Sequence, residues 1–153
     1  MPLGASVTFG VGSTTGDSYR KDLRDTLVAS RHQVNMVGSR KNGNDFTDND
    51  VEATPGFVIS QIAKSAKTAT PKFLPNLVLV DAGTNNCNNG GMVPDAGANV
   101  TAMINDLFAL SPGVTVVLAT ILANKIAAQD ACRVNIKQYQ ALATQFQEQQ
   151  KKL

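Results

Sequence analysis

Two continuous apolar runs of strand length, Leu77-Val78-Leu79-Val80 and Val114 to Leu122 (VTVVLATIL), constrain this chain more than anything else in it. A strand with apolar residues at successive positions must be covered on both faces, as strands are inside a parallel sheet flanked by helices. Segments of helical period separate these runs. Val100, Met103, Ile104, Leu107 and Phe108 recur at i, i+3, i+4, i+7 and i+8, and Val58, Ile59, Ile62, Ala63 and Ala66 form a second helical face. Tyr19, Leu23 and Leu27 form a third, with Asp17 or Ser18 as its cap, and Val134 to Gln150 predicts a last helix burying Ile136, Tyr139, Leu142, Ala143 and Phe146. A short first strand lies within Met1 to Phe9 and breaks at Gly4-Ala5-Ser6, while Gln33 to Gly38 (QVNMVG) alternates and predicts a half-buried or edge strand. Arg40 to Pro55 has little periodicity and predicts a long loop of the kind that often carries function. This alternation predicts an α/β fold, a three-layer α/β/α domain around a parallel sheet.

The remaining numbers narrow the classes. A chain of 153 residues and 16.2 kDa is one domain. Its 42% hydrophobic and 17% charged residues exclude wholesale disorder. A net charge of +2, with the basic residues scattered, leaves no footprint for nucleic acid. No apolar run is long enough to span a membrane, and Met1-Pro2-Leu3 opens no signal peptide. The single histidine, His32, precedes the second predicted strand, at the amino end of the sheet. Any histidine-based triad or metal site must use it or an imidazole from outside the chain. Cys87 and Cys132 fit one disulfide or two buried thiols, and Asn99-Val100-Thr101 is a glycosylation sequon. Together they favour a secreted protein whose signal peptide has been removed, with a cytosolic protein as the alternative.

In a doubly wound sheet, ligands sit at the carboxyl ends of the strands. Gly4-Ala5-Ser6, the loop around Gly56, and Gly83-Thr84-Asn85-Asn86 all belong there. A serine on a strand-to-helix turn can present its hydroxyl to substrate. The backbone N–H groups of Ser6 and Gly56, with the Asn85 amide, can form an oxyanion hole. Each also has a plain reading: Ser6 as a turn residue, Gly56 as a turn glycine, Asn85 and Asn86 as caps. Gly10-Val11-Gly12-Ser13-Thr14-Thr15-Gly16 offers a phosphate loop as another option, but its last glycine is one residue too far for a dinucleotide fingerprint and it lacks the P-loop lysine.

These clusters, in this order, resemble the blocks of the SGNH (GDSL-type) hydrolases. Met1 to Gly10 is similar to the first block, usually Gly-Asp-Ser followed by an apolar residue and Thr. Tyr19-Arg20-Lys21-Asp22-Leu23 and Val37-Gly38-Ser39 match the next helix and strand of the branch known as carbohydrate esterase family three, which contains acetylxylan esterases. Asp48 to Phe57 is similar to the second block, ending in the oxyanion glycine, and Gly83-Thr84-Asn85-Asn86 corresponds to the third, normally Gly-x-Asn-Asp. The resemblance implies a flavodoxin-like sheet and makes Ser6 the nucleophile. Ser6 N–H, Gly56 N–H and Asn85 become the oxyanion hole, with no metal or cofactor, and the substrate is a small ester or acetylated carbohydrate.

The chain departs from that pattern. Ala5 and Asn86 replace aspartates, and Val51 and Ala53 replace a histidine and a glycine. The family's final Asp-x-x-His block, home of its general base, is absent. A serine hydroxyl is a weak nucleophile without such a base. The expectation is a single domain, residues 1–153, clipped at both ends and lacking its last strand, an esterase inactive as it stands. The alternative is a non-catalytic module of the same fold that binds carbohydrate or protein.

Overall fold

A computed structural model describes residues 1–88 and 96–121. Along the chain run β1 (Pro2–Gly4), α1 (Ser6–Phe9), α2 (Tyr19–Ala29), β2 (Arg40–Lys41) and β3 (Asp50–Ala53). They are followed by α3 (Ile59–Phe73), β4 (Leu77–Asp81), α4 (Thr84–Asn88), α5 (Ala96–Leu110) and β5 (Thr115–Leu118). The strands form one sheet in the order β2-β3-β1-β4-β5. β3, β1, β4 and β5 are parallel, and β2 pairs antiparallel with β3 at the edge, which makes the sheet mixed. The parallel part has the order second-first-third-fourth, that of flavodoxin-like folds.

Strand alternation sets the layers. Leu3, Val78 and Val80 are buried with Ile59, Ile62 and Ala66 of α3 and Val100, Met103, Ile104 and Leu107 of α5. Pro2, Leu77 and Leu79 lie on the opposite face, where they line a cleft with Leu23 and Leu27 of α2. The helical faces read from α3 and α5 are therefore the ones that meet the sheet. Gly113, with φ of 80°, turns the chain after α5 into β5. The predicted last helix, Val134 to Gln150, lies outside the described residues, as does Cys132 and hence its pairing with Cys87.

Two sequence expectations fail, for one physical reason. Gln33 to Gly38 is not a strand, and β3 emerges instead from the segment expected to be a loop. The Met36 N–H donates to Asp48 Oδ1 at 2.9 Å and the Ser39 N–H to Glu52 Oε2 at 2.8 Å, so side chains take the donors a ladder would have used. Gly38 lies so close to β3 that a Cβ there would overlap the Val51 carbonyl carbon. Val51, Glu52 and Ala53 are all buried, so β3 has no alternation to betray it.

Arg20 organises the loops on this side. It is fully buried, and its guanidinium donates to the carbonyl oxygens of Asn49, Phe9, Gly16 and Asn42 at 2.8–3.2 Å. Asn42 Nδ2 also donates to Phe9 O and Gly16 O. The glycine-rich 10–16 loop thus turns carbonyls inward, and the Ser13 and Gly16 N–H groups bond within the loop. That is the wrong polarity for cradling a phosphate. Ser18 precedes α2 but makes no side-chain cap; its hydroxyl donates to Val7 O at 2.6 Å.

Candidate active site

The register of the sheet brings the three sequence candidates to one edge. Gly4 pairs with Ala53 on one side and with Asp81 on the other. Ser6, Gly56 and Asn85 follow these residues by two, three and four positions, at the carboxyl ends of three adjacent parallel strands.

Ser6 is the first residue of α1, directly after β1 and Ala5. The turn is tight because Gly4 has no side chain: a Cβ there would overlap Thr8 Oγ1 and sit 2.7 Å from Asp81 O. Gly10 ends α1 in the left-handed region, with φ of 104°, and a Cβ there would overlap Gly16 O. Ser6 O accepts from the N–H groups of Gly10 and Val11, while its hydroxyl has no hydrogen-bond partner among the described residues.

Beneath Ser6 lies a polar cluster that sequence reading missed. Thr8 is fully buried and its Oγ1 donates to Asp81 Oδ2 across a long 3.4 Å. Burial pushes the Asp81 carboxyl above its usual range, opposed by the Thr8 hydrogen bond. Burial likewise raises Tyr19, against the opposing hydrogen bond with Thr8. Nothing local in the sequence pairs these residues, because Thr8 and Asp81 meet only through the β1–β4 register.

The Gly56 loop continues the sheet for one more bond. Thr54 N–H donates to Gly4 O at 3.3 Å, and Phe57 N–H returns to Thr54 O at 3.2 Å. Gly56 is the third residue of that turn, with φ of 85°, as a type II turn requires. A Cβ at Gly56 would meet nothing within 4 Å, so its demand for glycine is conformational rather than steric. Its amide has no acceptor among the described residues.

Asn85 and Asn86 both turn towards this loop. Asn85 Nδ2 donates to Phe57 O at 2.8 Å, and Asn86 Oδ1 accepts the Ile59 N–H at 3.0 Å. Asn86 therefore caps α3 rather than the segment that follows it, while Asn85 retains a second amide hydrogen. Arg40, on edge strand β2, closes the other side. Its Nη1 donates to Thr54 Oγ1 at 2.9 Å and Ala53 O at 3.3 Å, and its guanidinium lies 4.7 Å from the centre of the Phe9 ring. Phe9 is one helical turn after Ser6.

His32 is exposed and lines the cleft with Pro2, Asn76 and Leu77, at the amino ends of the strands. The structure does not bring it to Ser6. Among the described residues no three His, Cys, Asp or Glu side chains group as metal ligands, and no helix is long and apolar enough to cross a membrane. The sequon falls on α5, where Asn99 is exposed and the Thr101 hydroxyl donates to Gly97 O at 2.8 Å.

Comparison with known proteins places the fold in a family. Residues 3–152 match the model of the GDSL-like lipase/acylhydrolase family. Among solved structures, the chain is similar to a Clostridium thermocellum family 3 carbohydrate esterase, with 28% identity and a TM-score of 0.78 over 94% of this chain and 72% of that one. A carbohydrate esterase family 3 structure from Talaromyces cellulolyticus shares the fold at 23% identity and a TM-score of 0.74, over 90% of this chain and 69% of that one. A serine-to-alanine mutant of an acetyl esterase, solved with an acetate ion, also shares it, at 23% identity and a TM-score of 0.66 over the same shares. No curated protein sequence gives a significant match. The strand order, the serine at the first strand's end and the family match over nearly the whole chain lead to one statement: this chain belongs to the GDSL-like lipase/acylhydrolase family of SGNH hydrolases.

Proposed function

We propose that this chain carries the nucleophile and oxyanion hole of a serine esterase acting on small acyl esters, acetyl esters of carbohydrate above all. The observation that carries the reading is the convergence of Ser6, Gly56 and Asn85 at the carboxyl ends of β1, β3 and β4. In this reading Ser6 Oγ attacks the ester carbonyl. The oxyanion that forms accepts from the N–H groups of Ser6 and Gly56 and from the spare Asn85 amide hydrogen. Collapse expels the alcohol, which takes a proton, and leaves Ser6 acylated; water then releases the acid and restores the hydroxyl. No step uses a metal or cofactor.

Both proton transfers need a base, and His32, the one imidazole in these 153 residues, stands at the other end of the sheet. The proposal therefore assigns the base to a segment beyond this sequence. Extracellular location, with Cys87 paired to Cys132, belongs to the same proposal and rests on the sequon and the two cysteines. Hydrolysis of 4-nitrophenyl acetate by a longer form of the protein that carries the base, lost in Ser6→Ala, is the expected result; turnover unchanged in Ser6→Ala overturns it.

A second reading, a non-catalytic carbohydrate-binding or protein-binding module, is favoured by one observation. Asn85 and Asn86 both spend side-chain bonds on holding the Phe57–Ile59 backbone. It predicts ligand binding with no ester turnover.

A further inference from the structure

A groove of about 510 Å³ runs beside α3; Ser6 is not among the residues that line it. Its walls include Gln61, Lys64, Thr68 and Lys72, spaced three or four residues apart along one face of the helix. At 1.5 Å per residue, the stretch from Gln61 to Lys72 spans about 16 Å along the helix. Phe57, the residue after Gly56, and Phe73, the last residue of α3, also line it.

Three groups in it have bonding capacity to spare. Lys64 and Lys72 are exposed and form no ion pair among the described residues, whereas Lys67, just outside the groove, reaches Asp106 at 3.6 Å. Lys72 also lies 4.9 Å from the centre of the Phe73 ring. Glu52 is only 6% exposed; its Oε2 accepts the Ser39 N–H, and its other oxygen has no partner among the described residues. A buried carboxylate is tolerated where hydrogen-bond donors satisfy it.

We propose that this groove binds a carbohydrate chain bearing uronic-acid carboxylates. Phe57 and Phe73 offer apolar faces to sugar rings, the second Glu52 oxygen accepts a sugar hydroxyl, and Lys64 and Lys72 take the carboxylates. Exposed ammonium groups on a solvated helix select by charge. The proposal deepens the esterase reading and rests on it: because Phe57 adjoins Gly56, a chain in the groove approaches the Ser6 turn.

The test is calorimetric titration of the protein with a tetragalacturonate and with neutral xylotetraose. The acidic oligosaccharide is expected to bind about tenfold tighter or more, and less tightly as salt rises. The double variant K64Q/K72Q removes that preference, and Lys67→Gln leaves it intact. Equal affinity for the two sugars, no binding of either, or an unaffected K64Q/K72Q variant overturns the proposal. The two readings fail separately: turnover unchanged in Ser6→Ala overturns the esterase reading, whereas the groove is judged by binding alone, which Ser6→Ala is expected to keep.

Discussion

Asn85 donates its side-chain amide to the carbonyl oxygen of Phe57 at 2.8 Å, and this bond fixes α4 to the residue that follows Gly56. The second oxyanion candidate is therefore positioned partly by the third. Asn85→Ala leaves the Phe57 carbonyl without its partner and is expected to destabilise the fold by about 1 kcal/mol. Asn85→Asp sets a carboxylate oxygen against that carbonyl and costs more. Urea unfolding of both variants checks the order.

Arg20 predicts a larger effect. Its planar fork reaches four carbonyl oxygens from two loops and an edge strand's flank, inside the protein. A lysine ammonium has one nitrogen and cannot span that set, so Arg20→Lys is expected to destabilise by about 3 kcal/mol. A melting temperature within a degree or so of the parent contradicts the role given to Arg20.

Two glycines near Ser6 separate by mechanism. Gly4→Ala drives a methyl to within 2.7 Å of the Asp81 backbone oxygen, which cannot swing away, and is expected to lose more than about 2 kcal/mol. Gly56→Ala has open space and suffers only the left-handed backbone, about 1–2 kcal/mol. Denaturant midpoints rank them, with Gly56→Ala the more stable variant.

Asp81 gives a pH dependence of defined sign. Its folded carboxyl is held above the usual 3.8 by burial, with the Thr8 hydrogen bond acting the other way. The folded state thus keeps its proton to higher pH than the unfolded state. The favourable contribution is complete below the unfolded value and is lost as pH rises through the folded one. Asp81→Asn removes this loss, so the variant's stability relative to the parent is expected to rise between about pH 4 and pH 7. A difference that is the same at both ends of that range contradicts it.

What was legible in the sequence follows from how local each signal is. β4, α3 and α5 stand out because a run such as Leu77 to Val80, or the spacing of Val100, Met103 and Leu107, reports burial within one element. The run from Val114 does give a strand, β5, but as the last strand of the described sheet it leaves Thr115 and Val117 exposed and is not covered on both faces as expected. β3 is hidden because its burial includes Glu52, whose carboxylate is satisfied by Ser39 from another segment. The 33–38 stretch has a strand's alternation, yet the amides of Met36 and, just beyond it, Ser39 end on Asp48 and Glu52. Ser6, Gly56 and Asn85 were visible as residue types that suit strand ends. Thr8, Asp81, Arg40 and the capping role of Asn86 were not, since each acquires its meaning from a partner far along the chain.

The most direct test of the account is covalent labelling of Ser6. The protein is treated with a fluorophosphonate in the presence of imidazole, which supplies the missing base from solution, and is then digested for peptide mass analysis. The account predicts a single phosphonate adduct on the peptide carrying Ser6, absent in Ser6→Ala. No adduct, or the same adduct in Ser6→Ala, contradicts it.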